Sequence, residues 1–260
     1  MKKILITGAC GGIAESVIQK LLDEDYFIYV TVHTMQQLKR VKDKYKNNNN
    51  VECFKLDVTN TKDREKIKNL DIDTFVANAA IGYGGSIIDI DIDKIRENFE
   101  VNVFSNFELV QLVLKNMLKK NSGKIIIISS IAGIVPLRFL GSYSASKSSV
   151  IKLTQTLRKE LKLITKKINI SLVLPGMYHT GFNQVMLENK YLNMDGSIFG
   201  AKEKEIRFWE DLFWNIFEYK SLNSITKQIY QAIVSNKSKF IYSAPLNQKI
   251  FAKIYQIFNW

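Results

Sequence analysis

Short, continuously apolar runs alternate along this chain with longer stretches whose apolar residues recur at helical period. The runs predict strands at 3–7, 27–32, 51–55, 74–77, 124–129 and 169–174, and the periodic stretches predict helices at 12–22, 35–45, 61–70, 92–120 and 145–165. A strand reads as unbroken apolar sequence when helices cover both faces of its sheet. The pattern therefore predicts an α/β fold of Rossmann type, a doubly wound parallel sheet flanked by helices with its ligand crevice outside the strands' carboxyl ends. The Asn-rich run at 47–50 reads as a surface turn.

After Gly181 the β-branched runs stop and aromatics gather, Phe182, Trp209 and Phe213 among them, which predicts an irregular-then-helical insertion over 182–219. A last strand at 240–243 and an amphipathic segment at 246–260 close the chain. That segment sets Ile250, Phe251, Ile254, Ile257 and Phe258 opposite Lys249, Lys253 and Gln256, and ends at Trp260. No linker or repeat divides the sequence. One domain over 1–260 is expected, with 182–225 as a substrate-side lid.

Composition narrows the function classes. With 46% hydrophobic and 24% charged residues in 260, the chain is globular rather than disordered. Its apolar runs are too short for a membrane span or a signal-peptide core. Two cysteines, Cys10 and Cys53, make neither a disulfide framework nor a metal cluster, so a reducing, cytoplasmic setting without metal is expected. The formal charge of +12 comes from lysines spread along the chain, and no nucleic-acid module accompanies it. The basic amphipathic segment at 246–260 leaves peripheral contact with the inner membrane face open beside an internal packing or oligomer role.

The first run leads through Thr7-Gly8-Ala9-Cys10-Gly11-Gly12-Ile13-Ala14 into a helix. Glycines at a strand-to-helix turn let backbone approach a pyrophosphate seated on the helix N-terminus. No carboxylate stands at the end of the second strand, where one would hold a ribose 2′-hydroxyl and repel a 2′-phosphate. His33 and Thr34 stand there instead, with Lys39 and Arg40 nearby, which favours NADP(H), with NAD(H) as the alternative. Farther on, Tyr143-Ser144-Ala145-Ser146-Lys147 follows Ser130, and Asn102 lies midway along the helix at 92–120. A tyrosine is a poor base at neutral pH, and a lysine one helical turn on supplies the positive charge that stabilises its phenolate.

The glycine spacing, Asn102, Ser130 and the Tyr143/Lys147 pair together resemble the short-chain dehydrogenase/reductase family, from residue 3 to about 181. The final glycine of its turn is Ala14 here. The resemblance implies that Tyr143 is the acid/base, that Lys147 supports it and holds the nicotinamide ribose, that Ser130 binds the substrate oxygen, and that Asn102 holds a water behind Lys147. It implies cofactor contacts at Gly8, Cys10, Gly11, Gly12, Ile13, Asp57, Val58, Asn78 and Ala79, and around the nicotinamide at Pro175, Gly176 and Thr180. His179 reads as a solvent-facing spacer. The substrate side falls to Phe182, Trp209 and Phe213. The expected activity interconverts a carbonyl and a secondary alcohol on a small hydrophobic substrate, in a homodimer or homotetramer built on the helices at 92–120 and 145–165. A catalytically silent dinucleotide-binding regulator and an extended-branch sugar-nucleotide epimerase or dehydratase are the rival readings.

Overall fold

In the computed structural model, which describes residues 1–192 and 196–258, the apolar runs become seven strands. They are β1 (Lys2–Ile6), β2 (Tyr26–Val32), β3 (Val51–Lys55), β4 (Thr74–Ala77), β5 (Gly123–Ile128), β6 (Ile168–Pro175) and β7 (Ile241–Ala244). All pair in parallel, in the order β3-β2-β1-β4-β5-β6-β7. The order reverses between β1 and β4, and chain leaving those two strands parts to either side, which opens a crevice at their carboxyl ends.

Ten helices surround the sheet: α1 (Gly12–Leu21), α2 (Met35–Tyr45), α3 (Thr61–Glu65), α4 (Ile92–Phe99), α5 (Asn106–Lys120), α6 (Gly141–Ile164), α7 (Phe182–Leu192), α8 (Glu203–Phe217), α9 (Asn223–Val234) and α10 (Leu246–Phe258) among the described residues. Side chains alternate across each strand. Ile4, Ile6, Val30 and Ile126 share one core with α1, α2 and α9, while Leu5, Phe75, Ile125 and Ile127 share the other with α5 and α6. Leu5 is fully buried, and its truncation to alanine costs about 2–5 kcal/mol.

The structure corrects several sequence expectations. The helix expected over 92–120 is α4, a π-helical turn at Glu100–Ser105, and α5, because the π turn barely disturbs the apolar periodicity. The helix expected over 61–70 is α-helical only to Glu65. Beyond it tighter bonds, Ile67 N–H to Arg64 O and Leu70 N–H to Ile67 O, continue as turns. The helix expected from 145 starts at Gly141. The insertion is helical from its first residue, and α9 was not foreseen. Trp260 lies outside the described residues.

The amphipathic segment does form a helix, but its apolar side faces outward. Gln248 and Ala252 of α10 meet the body of the protein, while Ile250, Phe251, Ile254, Ile257 and Phe258 are exposed. No helix among the described residues is long and apolar enough to cross a membrane.

Candidate active site

A cleft of about 1190 Å³ runs along the carboxyl ends of the strands. At one end lie His33 and Asp57, in the middle Gly8, Cys10, Gly11, Gly12 and Ile13 with Asn78 and Ala79, and at the other end Ser130, Tyr143, Lys147, Pro175, Gly176 and Thr180. Val58 also lines it.

The glycine turn is shaped from two sides. Gly8 has φ +64°, and a Cβ there would stand 2.8 Å from the Ala79 Cα, so β1 and β4 close on each other only over glycine. A Cβ on Gly12 would come within 3.2 Å of the Thr180 side chain. A Cβ on Gly11 would meet only the Gly8 carbonyl, at 3.5 Å, and would otherwise occupy the cleft itself. Gly11 is also the N-cap of α1, and no side chain caps that helix. An uncapped helix N-terminus facing a glycine-lined cradle fits the pyrophosphate of a dinucleotide. Asn78 locks the cradle, its Nδ2 donating to the Thr7 and Gly8 carbonyls at 2.9 and 3.1 Å.

At the His33 end, Asp57 Oδ1 accepts from the Thr59 N–H and hydroxyl at 3.0 and 2.8 Å. Burial opposes its ionisation, but these bonds with His33 and Lys55 hold the carboxyl below its ordinary range. His33 Nε2 stands 3.4 Å from Asp57. Thr34 corrects the sequence reading: it does not line the cleft, because its hydroxyl caps α2 by accepting the Gln37 N–H at 3.1 Å. Lys39 also lies outside the lining. Arg40 and Lys44 act on Cys10, whose thiol burial pushes up and their charges pull down.

At the other end Tyr143 and Lys147 are both buried, and the Lys147 Nζ lies 5.8 Å from the Tyr143 ring centre. Burial pushes the Tyr143 phenol up to about 12 against a Ser130 hydrogen bond that lowers it. Burial also brings the Lys147 ammonium down to about 8. Its Nζ donates to the Ile128 carbonyl at 3.3 Å, and the Ser129 hydroxyl holds the Lys147 carbonyl at 2.9 Å. Ser130 Oγ accepts the Ala132 N–H at 3.1 Å, which fixes its rotamer at the carboxyl end of β5.

Asn102 does not act alone. Its side chain brackets Ile81, accepting the N–H and donating to the carbonyl at 2.9 Å each, and donates to Ser146 Oγ at 3.0 Å. Four residues earlier Asn98 brackets Tyr83 in the same way, at 3.1 and 3.2 Å, and donates to Ser142 Oγ at 2.6 Å. Four residues later Asn106 donates to the Ala79 carbonyl at 2.8 Å. Helical steps of four residues, about 6 Å, match extended steps of two, about 6.6 Å, so three asparagines hold alternate residues of the segment after β4. The spacing Asn-x-x-x-Asn-x-x-x-Asn was the available signal for Asn98 and Asn106.

The apolar end of the cleft is built by Leu137, Leu140, Phe182, Met186, Phe213 and Trp214, with Phe182 5.7 Å from the Tyr143 ring. Phe182 and Phe213 both line the cleft. Trp209 is 59% exposed on the outer side of α8, and Trp214, one of the aromatics of the same segment, is the buried tryptophan of the wall. His179 lies outside the cleft and bonds Glu218 at 2.8 Å. Gln248 of α10 was also missed. Its Oε1 accepts the Met177 N–H at 2.8 Å, and it packs so closely that a Cβ on Gly176 would meet it at 2.1 Å.

Comparison with known proteins places this geometry. Residues 2–190 match the family described as short chain dehydrogenase. The chain is 29% identical over 263 residues to a probable short-chain type dehydrogenase/reductase of Helicobacter pylori, covering 97% of this chain and 92% of that protein. An NADPH-dependent 3-dehydrocapnine reductase of Ornithobacterium rhinotracheale is 28% identical over 273 residues, covering 99% and 93%. Among solved structures, a short-chain dehydrogenase of Burkholderia cenocepacia in complex with NADP aligns with a TM-score of 0.74 at 19% identity, covering 97% and 93%. One from Burkholderia phymatum in complex with NAD aligns at 0.76 and 20% identity, covering 92% and 88%.

Proposed function

The chain belongs to the short-chain dehydrogenase/reductase family of NAD(P)-dependent oxidoreductases, and from that premise we propose that it interconverts a carbonyl and a secondary alcohol on a hydrophobic substrate, with NADP(H) preferred. The observation that carries this reading is the meeting of half-buried Ser130 with the buried Tyr143 and Lys147 at the junction of the cradle and an apolar wall. The cofactor, when bound, supplies or accepts the hydride at the carbonyl carbon. Tyr143 gives its phenolic proton to the carbonyl oxygen, and takes it back in the oxidation direction. Ser130 donates to the same oxygen and stabilises the charge that develops there. Lys147, while protonated, opposes the burial that keeps the phenol neutral and reaches the ribose hydroxyls of the nicotinamide. Asn102, whose side chain brackets Ile81, holds a water behind Lys147.

NADP(H) is supported at the other end of the cleft. His33 follows β2 in place of a carboxylate, and the charges of Arg40 and of Lys44, which is paired with Glu15, reach Cys10 of the glycine turn. Asp57 and Val58 border the adenine, and Pro175, Gly176 and Thr180 border the nicotinamide. Phe182, Phe213 and Trp214 favour an apolar substrate, and the described residues of the 182–225 segment, 182–192 and 196–225, act as the lid over it. Association as a homodimer or homotetramer uses the faces of α5 and α6, near which Phe104 and Leu153 stand exposed.

Ketones and secondary alcohols of increasing chain length, assayed by nicotinamide absorbance with each cofactor, test the reading. Rising kcat/KM with chain length and a preference for NADPH are expected. A clear preference for NADH would overturn the assignment at His33.

A further inference from the structure

Two helix faces beside the apolar end of the cleft are uncovered. On α8, Phe208, Trp209, Leu212 and Ile216 form one exposed stripe, and on α10, Ile250, Ile254, Ile257 and Phe258 form another. The helices are joined where Gln248 Nε2 donates to the Phe217 carbonyl at 2.7 Å and the Tyr219 hydroxyl donates to Asn247 at 3.1 Å. Phe217 and Phe251, both exposed, stand at this junction and also line the cleft, so its mouth opens there. Lys249 and Lys253 border the α10 stripe, and α10 carries no carboxylate. On α8, Glu203 pairs with Arg207 and Glu210 with Lys190, while Glu205, toward the end remote from the mouth, and Asp211, next to Leu212, are exposed carboxylates, so the basic border belongs to α10.

We propose that these two faces dock on an anionic lipid bilayer, and that the substrate enters the cleft from the apolar phase between α8 and α10. Outward apolar residues, an interfacial tryptophan and flanking lysines suit insertion at a headgroup boundary. A protein partner spread over both faces would cover the mouth, whereas a bilayer covers the same faces and presents an apolar substrate at the opening. The entry route rests on the hydrophobic-substrate reading; the docking itself does not.

Co-sedimentation of the whole protein with phosphatidylcholine vesicles, with and without phosphatidylglycerol, tests the docking without any turnover. Binding to the anionic vesicles is expected, to be lost in Ile254→Glu/Ile257→Glu and weakened in Lys249→Gln/Lys253→Gln. Light scattering on the same samples reports the oligomer. Absence of vesicle binding by the wild-type chain overturns the proposal, as does a dimer that Ile254→Glu/Ile257→Glu dissociates while vesicle binding is nil. Failure of the ketone panel with vesicle binding intact would overturn the substrate reading alone.

A separate observation concerns the asparagine ladder. Ser142 and Ser146, the ends of its first two rungs, immediately precede Tyr143 and Lys147. The Ser142 hydroxyl also donates to the Tyr83 carbonyl at 2.9 Å, and the Ser146 hydroxyl to the Tyr143 carbonyl at 2.8 Å. The geometry points to Asn98 and Ser142 as positioning residues that set the first turn of α6, and with it the phenol, against the cleft wall at Tyr83. Ser142→Ala is expected to lower kcat about tenfold with cofactor affinity unchanged, because a small misplacement of a reacting group is costly. Ser142→Thr, which keeps the hydroxyl, restores it, and adding Asn98→Ala to Ser142→Ala costs less than the two single losses combined. Unchanged kcat per cofactor-binding site in Ser142→Ala, with only a lowered Tm, would reduce the rung to a structural contact.

Discussion

Gln248 Oε1 accepts the Met177 N–H at 2.8 Å while its Nε2 donates to the Phe217 carbonyl at 2.7 Å, so one side chain of α10 ties the loop after β6 to the end of α8. Replacing it with alanine leaves two part-buried backbone groups without these partners. Gln248→Ala is expected to cost about 1–3 kcal/mol, read from chemical denaturation. An unchanged midpoint would contradict that role.

Tyr143→Phe removes one oxygen from a fully packed ring and leaves the cradle intact. A fall in kcat of about 10²–10⁴-fold is expected. Cofactor affinity, measured by fluorescence titration, should not change, and retained turnover would remove Tyr143 from the acid/base role.

The burial of Lys147 sets a pH window. With its ammonium lowered to about 8, the free protein loses this charge as pH rises through that value. The kcat/KM for the cofactor, which reports the free protein, should therefore decline above about pH 8. The unfolded chain holds the same proton up to its ordinary 10.5, so burial destabilises the fold below about pH 8 and the penalty fades as pH climbs toward 10.5. A profile flat to pH 10 would contradict the assignment.

Two glycines of one turn should respond differently to alanine. Gly8→Ala forces a Cβ against Ala79 at a positive φ and is expected to cost about 1–3 kcal/mol of stability. Gly11→Ala has room in the fold, at φ −75°, but fills the cradle. It should melt like the wild type and bind the dinucleotide more weakly, as calorimetry would measure.

Periodicity made the sheet legible because its strands are apolar on both sides, and residues such as Leu5 and Ile6 are buried on opposite faces alike. The glycine turn and the Ser130, Tyr143 and Lys147 spacing stood out in the sequence as a motif, and the structure brings these residues to one cleft. Trp209 and Trp214 show where legibility stops: both suit an apolar helix face, and only the rotation of α8 in the tertiary structure decides which enters the wall. Thr34 was read as a phosphate contact although Gln37 stands three residues on, the spacing of a capping box that takes its hydroxyl first. Gln248 left no local signal, since its partners lie far away in sequence.

The π-helical turn at Glu100–Ser105 has a consequence for how this chain can vary in length. Residues four apart on a regular α-helix drift by about 40° around its axis, and the wider π turn takes that drift back, so Asn98, Asn102 and Asn106 stay in line. Deleting one residue between Asn98 and Asn106 would relax the turn into ordinary helix with its flanks nearly in phase, but it would break one of the four-residue steps that match Asn98, Asn102 and Asn106 to alternate residues of the facing segment. The length of this stretch is accordingly tied to the asparagine ladder and to Asn102 within it, although it lies in a helix.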